Sequence, residues 1–311
     1  MEFDHPARHT LDNLGQLERE LAQGPISLHR AIPIAGQLTS HAHPSARNVI
    51  ALLRDNARHS DILAHAAKLA RCDETVRRYF QLEAFPRAQL ERFYQPEGFI
   101  FLRKGSGSRK LLVIFTTMFN NFHFSNAVMA AMLGRLDCNL LFLKDGTLFN
   151  YHRGVAGFAD SLPAIGPAIG RLAHSTGSDR IYMTGFSSCG YAALYTALTS
   201  PCHGYLGFSQ PTDMRAGSPL EPPLYFTPDV RAAVDPAHLV DLKPLLEADD
   251  PAMLRTFVYA ERNEHDASHV LHVADVPHVQ AIALPGASHS TVEELGATDA
   301  IVPMFARLIA G

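Results

Sequence analysis

The stretch Arg180-Ile-Tyr-Met-Thr-Gly185-Phe-Ser187-Ser-Cys-Gly190-Tyr-Ala-Ala-Leu194 decides how the chain is read. Arg180 to Thr184 reads as a short strand and Ser188 to Leu198 as a helix. Between them sits a tight turn with a serine at its apex. Small flanking residues let the strand and helix approach each other, and the turn projects the hydroxyl above the sheet. The helix amino end then turns free N–H groups toward the same point. Ser187 is therefore the candidate nucleophile, with Ser188 and Cys189 as weaker alternatives. The plainer alternative is a Gly/Ser turn without chemistry. The strand before the turn and the helix after it weigh against that.

Outward from this turn the pattern alternates. Gly98 to Leu102 reads as a strand, Gly105 to Ser108 as a turn, and Lys110 to Phe115 as an almost wholly apolar strand of the kind buried in a parallel sheet. A helix is expected over Asn126 to Leu136, a strand over Cys138 to Leu143 and a helix over Ser161 to His174. After the central turn come strands at Gly204 to Phe208, Arg255 to Tyr259 and Val279 to Leu284. Helices are expected over Ala267 to Ala274 and Val292 to Ile309. Strands alternating with helices imply an α/β fold with a mainly parallel, doubly wound sheet, whose site lies beyond the carboxyl ends of the strands. A proline-rich stretch, about 210–250, interrupts the alternation as an insertion over that edge.

Residues 1–95 differ in texture. Leu11 to Leu21, Ala46 to Leu53, Ile62 to Ala70 and Asp73 to Leu82 carry helical apolar spacing, with Gly24-Pro25 as a stop. No chemistry is visible there. The chain thus divides into a helical region, 1–95, and an α/β domain, 96–311.

Composition sets the bounds. The chain has 311 residues, 47% of them hydrophobic, which suffices for a large core. A net charge of −4 offers no basic field for a polyanion, so nucleic acid is not an expected partner. No apolar run approaches the ~18 residues of a membrane span. The opening MEFDHPARHT lacks the basic start and apolar run of a secretory signal. The cysteines, Cys72, Cys138, Cys189 and Cys202, have no metal-ligand spacing and read as reduced thiols. A cytoplasmic location follows as the expectation. His265, His269 and His272 read as a solvated helix face, so no metal is expected, and nothing calls for a cofactor.

The run Gly185 to Leu194 resembles the G-x-S-M-G-G-Y-A-A-L elbow of the α/β-hydrolase superfamily, with Cys189 where that family usually has its second glycine. The resemblance covers about Gly98 to Ala310. It implies the chain order Ser, acid, His. His289, in the loop Pro285-Gly-Ala-Ser-His-Ser after the last strand, is the expected base. The acid is expected in the loop after Tyr259. Asp266 is preferred, because it resembles the D-x-x-H-A placement of the acid in some members. Glu264 comes next and Glu261 third, with Asp213 an outside candidate. The resemblance implies oxyanion donors at the Ser188 N–H and in the loop after Phe115, at Thr117 and Met118. It implies hydrolysis of a small acyl ester or thioester through an acyl-enzyme. Acyl transfer to an alcohol, peptidase activity and a catalytically silent binding protein are the alternatives. The chain is also similar to small bacterial hydrolases of unassigned substrate, some found near glycan-assembly genes, which keeps a carbohydrate ester among the expected substrates. Phe119 to Phe124, rich in aromatics and amides, reads either as a pocket lining or as packing against the helical part. The loop Asp145 to Arg153, with Phe149, Tyr151 and His152, is a further candidate to shape the substrate site together with the proline-rich insertion.

Overall fold

A computed structural model describes residues 97–310, apart from 106, 118, 119, 148, 221–231 and 233, together with residues 89, 92, 93 and 95. The helices expected within 1–88 lie outside the described residues. So do Cys72 and the middle of the proline-rich stretch.

A seven-stranded sheet forms the centre, in the order β1-β5-β2-β6-β7-β8-β9. Its strands are β1 (Gly98–Leu102), β2 (Lys110–Phe115), β5 (Asn139–Lys144), β6 (Arg180–Phe186), β7 (Gly204–Phe208), β8 (Arg255–Ala260) and β9 (Val279–Leu284). β1 runs antiparallel to β5, and the remaining pairs are parallel. Side chains alternate across a strand, and β2 shows why this sheet needs cover on both faces. Leu111, Val113 and Phe115 join one core, and Leu112 and Ile114 join the other, all fully buried. Burying each such side chain contributes roughly 1.5–3 kcal/mol.

Helices α2 (Leu162–Thr176) and α3 (Ser188–Thr199) cover the first face, and α1 (Asn126–Leu133) the second. α4 (Lys243–Glu247) and α5 (Glu264–Val273) also lie on the first face. α6 (Thr291–Ala297) and α7 (Ile301–Ala310) lie on the second, where Ile301, Phe305 and Ile309 form one buried stripe at four-residue spacing.

One expectation changes and another is narrowed. The terminal helix read over 292–309 is two helices, α6 and α7. The chain leaves α6 through Asp299, whose φ is 59°, and the Ala300 N–H donates to the Leu295 carbonyl at 2.8 Å. Restarting at Ile301 puts Pro303 in a first turn, where its missing N–H costs nothing. Of the two readings of the aromatic run after β2, its described residues take the packing one, with the sheet and α7 as the partners. Asn121–Phe122 (β3) and Phe124–Ser125 (β4) form a small hairpin. Phe122 and Phe124 are fully buried, and Phe122 packs against Phe186, Phe208 and Phe305. Apolar burial outweighs exposure of these rings to a substrate.

The described part of the proline-rich stretch is pinned to α3. The Tyr191 hydroxyl contacts the carbonyls of His238 and Val240 at 2.8 and 3.1 Å, and the Val240 N–H donates to it at 2.8 Å. Cys138, Cys189 and Cys202 are buried free thiols. Among the described residues, no helix is long and apolar enough to cross a membrane.

Candidate active site

Ser187 sits between β6 and α3 with φ 57° and ψ −145°. That region is unfavourable for any residue with a Cβ, and such strain collects where surrounding structure imposes it. Here the Ser187 N–H donates to the Phe208 carbonyl on the neighbouring strand at 2.9 Å. Two glycines make the turn sterically possible. A Cβ on Gly185 would lie 2.6 Å from Gly190 Cα and 2.7 Å from Ala193 Cβ. A Cβ on Gly190 would lie 2.6 Å from Gln210 Cβ. The second close approach therefore falls at Gly190, one residue past the usual position. Cys189 fits because its side chain turns inward, fully buried, with Sγ 3.5 Å from Asn150 Oδ1.

His289 comes from the loop after β9. Its Nε2 lies 2.8 Å from Ser187 Oγ. Its Nδ1 faces the Asp266 carboxylate, 2.8 Å from one oxygen and 3.1 Å from the other. Asp266 is 1% exposed, whereas the His289 side chain is 31% exposed. α5 begins two residues before Asp266, and the Asn263 side chain caps it by accepting the Asp266 N–H at 3.1 Å. A first-turn carboxylate suits the positive end of the helix. Of the alternative acids, Glu264 and Glu261 are solvent-exposed. Asp213 is buried elsewhere, against Arg215 and Ser218.

Of the expected oxyanion donors, Ser188 opens α3, where helix geometry leaves its N–H without an intrahelical acceptor. The Thr117 N–H already donates to the Asn121 carbonyl at 2.7 Å, and its hydroxyl donates to Asn121 Oδ1 at 2.8 Å. Met118 lies outside the described residues.

Three features differ from what the sequence pattern suggests. Asn150 is buried, and its Oδ1 accepts the Ser188 hydroxyl proton at 2.8 Å. Tyr151, expected near substrate, is fully buried with its hydroxyl on backbone carbonyls, and Phe149 lies under the Arg153 guanidinium, 3.8 Å away. His269 is not solvated. It is 1% exposed, its Nδ1 accepts the Thr212 N–H at 3.1 Å, and burial lowers its pKa to about 4. The first two depend on loop placement, for which periodicity carries no signal, whereas His269 lies on α5, on the face that Asp266, Val270 and Val273 bury.

Asp213, Asp241 and His272 bring one potential ligand atom each within 4.8 Å of one another. The Arg215 guanidinium occupies this cluster. It donates to Asp213 at 3.0 and 2.8 Å and to Asp241 at 3.2 Å. Burial pushes the Asp213 carboxyl up, but the bonds from Arg215 and Ser218 outweigh it and hold it at about 2.

No protein-family profile matches the chain, and no curated protein does. Solved structures do. Est1E from Butyrivibrio proteoclasticus is 18% identical with a TM-score of 0.48, covering 68% of this chain and 94% of that one. A lipase-esterase related protein from Clostridium acetobutylicum is 12% identical with a TM-score of 0.44, covering 69% and 100%. An alpha-beta serine hydrolase homologue from Coxiella burnetii is 13% identical with a TM-score of 0.44, covering 67% and 89%. The fold rests on the geometry of the chain itself. A mostly parallel sheet, a strained serine between β6 and α3, and a carboxylate and a histidine following in that order beyond later strands make this chain an α/β-hydrolase fold.

Proposed function

We propose that the protein is a serine hydrolase that cleaves a carboxylic ester or thioester of a small molecule through an acyl-enzyme on Ser187. One observation carries the reading: His289 stands between Ser187 and buried Asp266, with 2.8 Å on either side.

A serine hydroxyl is a weak nucleophile until a base takes its proton. As Ser187 Oγ attacks the substrate carbonyl, His289 Nε2 receives that proton. The imidazolium then holds a second N–H toward Asp266. The carboxylate stabilises the new charge and keeps the ring in the required tautomer. The carbonyl oxygen becomes an oxyanion, which the Ser188 N–H at the start of α3 meets, aided by the helix dipole. A second donor comes from the loop after β2, for which Met118 is the better candidate, since the Thr117 N–H is engaged with Asn121. His289 returns the proton to the leaving alcohol or thiol. Water, activated by the same histidine, then releases the acid.

The test uses a fluorophosphonate probe and short p-nitrophenyl esters on the full chain. The wild type labels and turns over ester. Ser188→Ala, which keeps the nucleophile but loses the hydroxyl bond to Asn150, still labels at a reduced rate, and Ser187→Ala does neither. A folded wild type that resists the probe overturns the reading.

A further inference from the structure

The loop after β5 carries two consecutive non-glycine residues in the left-handed region, Asn150 at φ 49° and Tyr151 at φ 69°. A bulky residue there is an outlier that persists only when its surroundings over-determine it. Both side chains are buried, and they point their polar atoms at different elements. Asn150 Oδ1 accepts from the Ser188 hydroxyl at 2.8 Å and from the Cys189 thiol at 3.5 Å, gripping the first turn of α3. The Tyr151 hydroxyl lies 2.8 Å from the Thr116 carbonyl oxygen and 2.7 Å from that of Leu143, one proton serving both. The Thr116 carbonyl and the Thr117 N–H belong to one planar peptide unit. That unit is held at both ends, its oxygen by Tyr151 and its N–H by the Asn121 carbonyl. Asp145 fixes the pair from behind, because its carboxylate accepts the Tyr151 N–H at 2.9 Å and the Thr147 N–H at 2.8 Å. The Asn150 Nδ2 is buried without an acceptor among the described residues, so the bonds that hold this side chain are those its oxygen accepts.

We infer that Asn150 and Tyr151 are positioning residues that act as one brace across the oxyanion hole. One sets the helix turn bearing the Ser188 N–H, and the other sets the Thr116–Thr117 peptide that follows β2. Neither touches the reacting atoms. The inference rests on the proposed reading of Ser187. It also accounts for Cys189, whose thiol shares the Asn150 acceptor that a glycine would leave to Ser188 alone.

The variants are Tyr151→Phe, which keeps the ring and removes the hydroxyl, and Asn150→Gly, which suits the left-handed backbone and removes the amide. Each is assayed for kcat and KM on a p-nitrophenyl ester and for binding of phenylboronic acid, whose serine adduct places an oxygen in the oxyanion hole. Misplaced donors lower kcat and boronate affinity together by about 10- to 100-fold. KM stays within about threefold, because ground-state binding does not use the hole. The pH midpoint of kcat/KM stays put, since neither residue contacts His289. If the brace is one unit, the double variant loses less than the product of the single losses. Unchanged kcat and boronate affinity in folded Tyr151→Phe overturn the brace, whatever happens to Tm, as does a change confined to KM. A wild type that neither labels with fluorophosphonate nor binds phenylboronic acid sinks the Ser187 reading itself. Labelled wild type beside unaffected variants sinks the brace alone.

Discussion

Gly185 and Gly190 lie back to back across the turn that carries Ser187, so close that a Cβ on the first would stand 2.6 Å from the Cα of the second. The usual motif places its second glycine at position 189. Here that position holds a buried cysteine, and the close contact has moved one residue along. Gly190→Ala forces its new methyl to within 2.7 Å of Gln210 Oε1, the atom that accepts the Tyr205 hydroxyl. Overpacking of this kind costs about 1–3 kcal/mol. Cys189→Ala removes one sulfur and a long hydrogen bond, so thermal denaturation should rank Gly190→Ala as the more damaging change. The reverse order would mean that position 189 carries the constraint.

Asp266 holds His289 through both carboxylate oxygens while almost fully buried. Asp266→Asn keeps the shape but offers the ring a donor, which favours the wrong tautomer. kcat should fall roughly 10³- to 10⁴-fold with little change in KM, by analogy with the same substitution in a serine protease. Glu264→Gln and Glu261→Gln, on exposed side chains, should leave kcat near wild type. Comparable losses in either would reassign the acid.

Arg255 opens β8 with only 1% of its surface exposed, and its guanidinium meets Asp249 at 2.6 Å. Removing the half-buried Asp249 leaves the buried Arg255 guanidinium as a stranded charge. Asp249→Ala should therefore lower unfolding stability by about 3–5 kcal/mol. Replacing both residues, as Asp249→Ala with Arg255→Met, should recover much of the loss. Urea denaturation of the single and double variants decides it, and an additive double loss would refute the stranded-charge account.

His269 supplies a pH dependence. Burial, reinforced by His265, lowers its folded pKa to about 4, against Asp213 and Asp266, which favour the charged form. The folded state thus prefers neutral His269, and the unfolded chain binds its proton first. The stability contributed is complete above the unfolded pKa of about 6.5. It declines as pH falls from about 6.5 toward 4, by up to about 3 kcal/mol. His152, lowered to about 4 by burial and His238, acts in the same direction. His269→Asn keeps an acceptor for the Thr212 N–H, so its unfolding free energy should change less than that of wild type between pH 7 and pH 5. Parallel pH curves for the two proteins would exclude His269 as a source of the acid sensitivity.

Much of the fold was legible because its signals are local. The apolar run of β2 announces a strand buried on both faces, and the strand, Gly-Ser turn and helix around Ser187 are contiguous in the chain. The break between α6 and α7 was not, because apolar spacing continues through it and only the left-handed Asp299 and the placement of Pro303 reveal it. The aromatic run Phe119 to Phe124 reads equally as pocket or core until Phe122 meets Phe305.

The sequence by itself determined the alternation of strands and helices and the tight turn at Ser187, since both are carried by short-range pattern, while His289 was an expectation from the chain order that the family resemblance implies. Tertiary structure decided which carboxylate stands behind that histidine. Asp266 and Glu264 are two positions apart on one helix turn, and so point to different sides. Only the packing of α5 against the sheet buries one and exposes the other. The same holds for Asn150 and Tyr151. Their contacts with Ser188, 38 residues away, and with Thr116, 35 residues away, exist only because the sheet sets the ends of β2, β5 and β6 side by side.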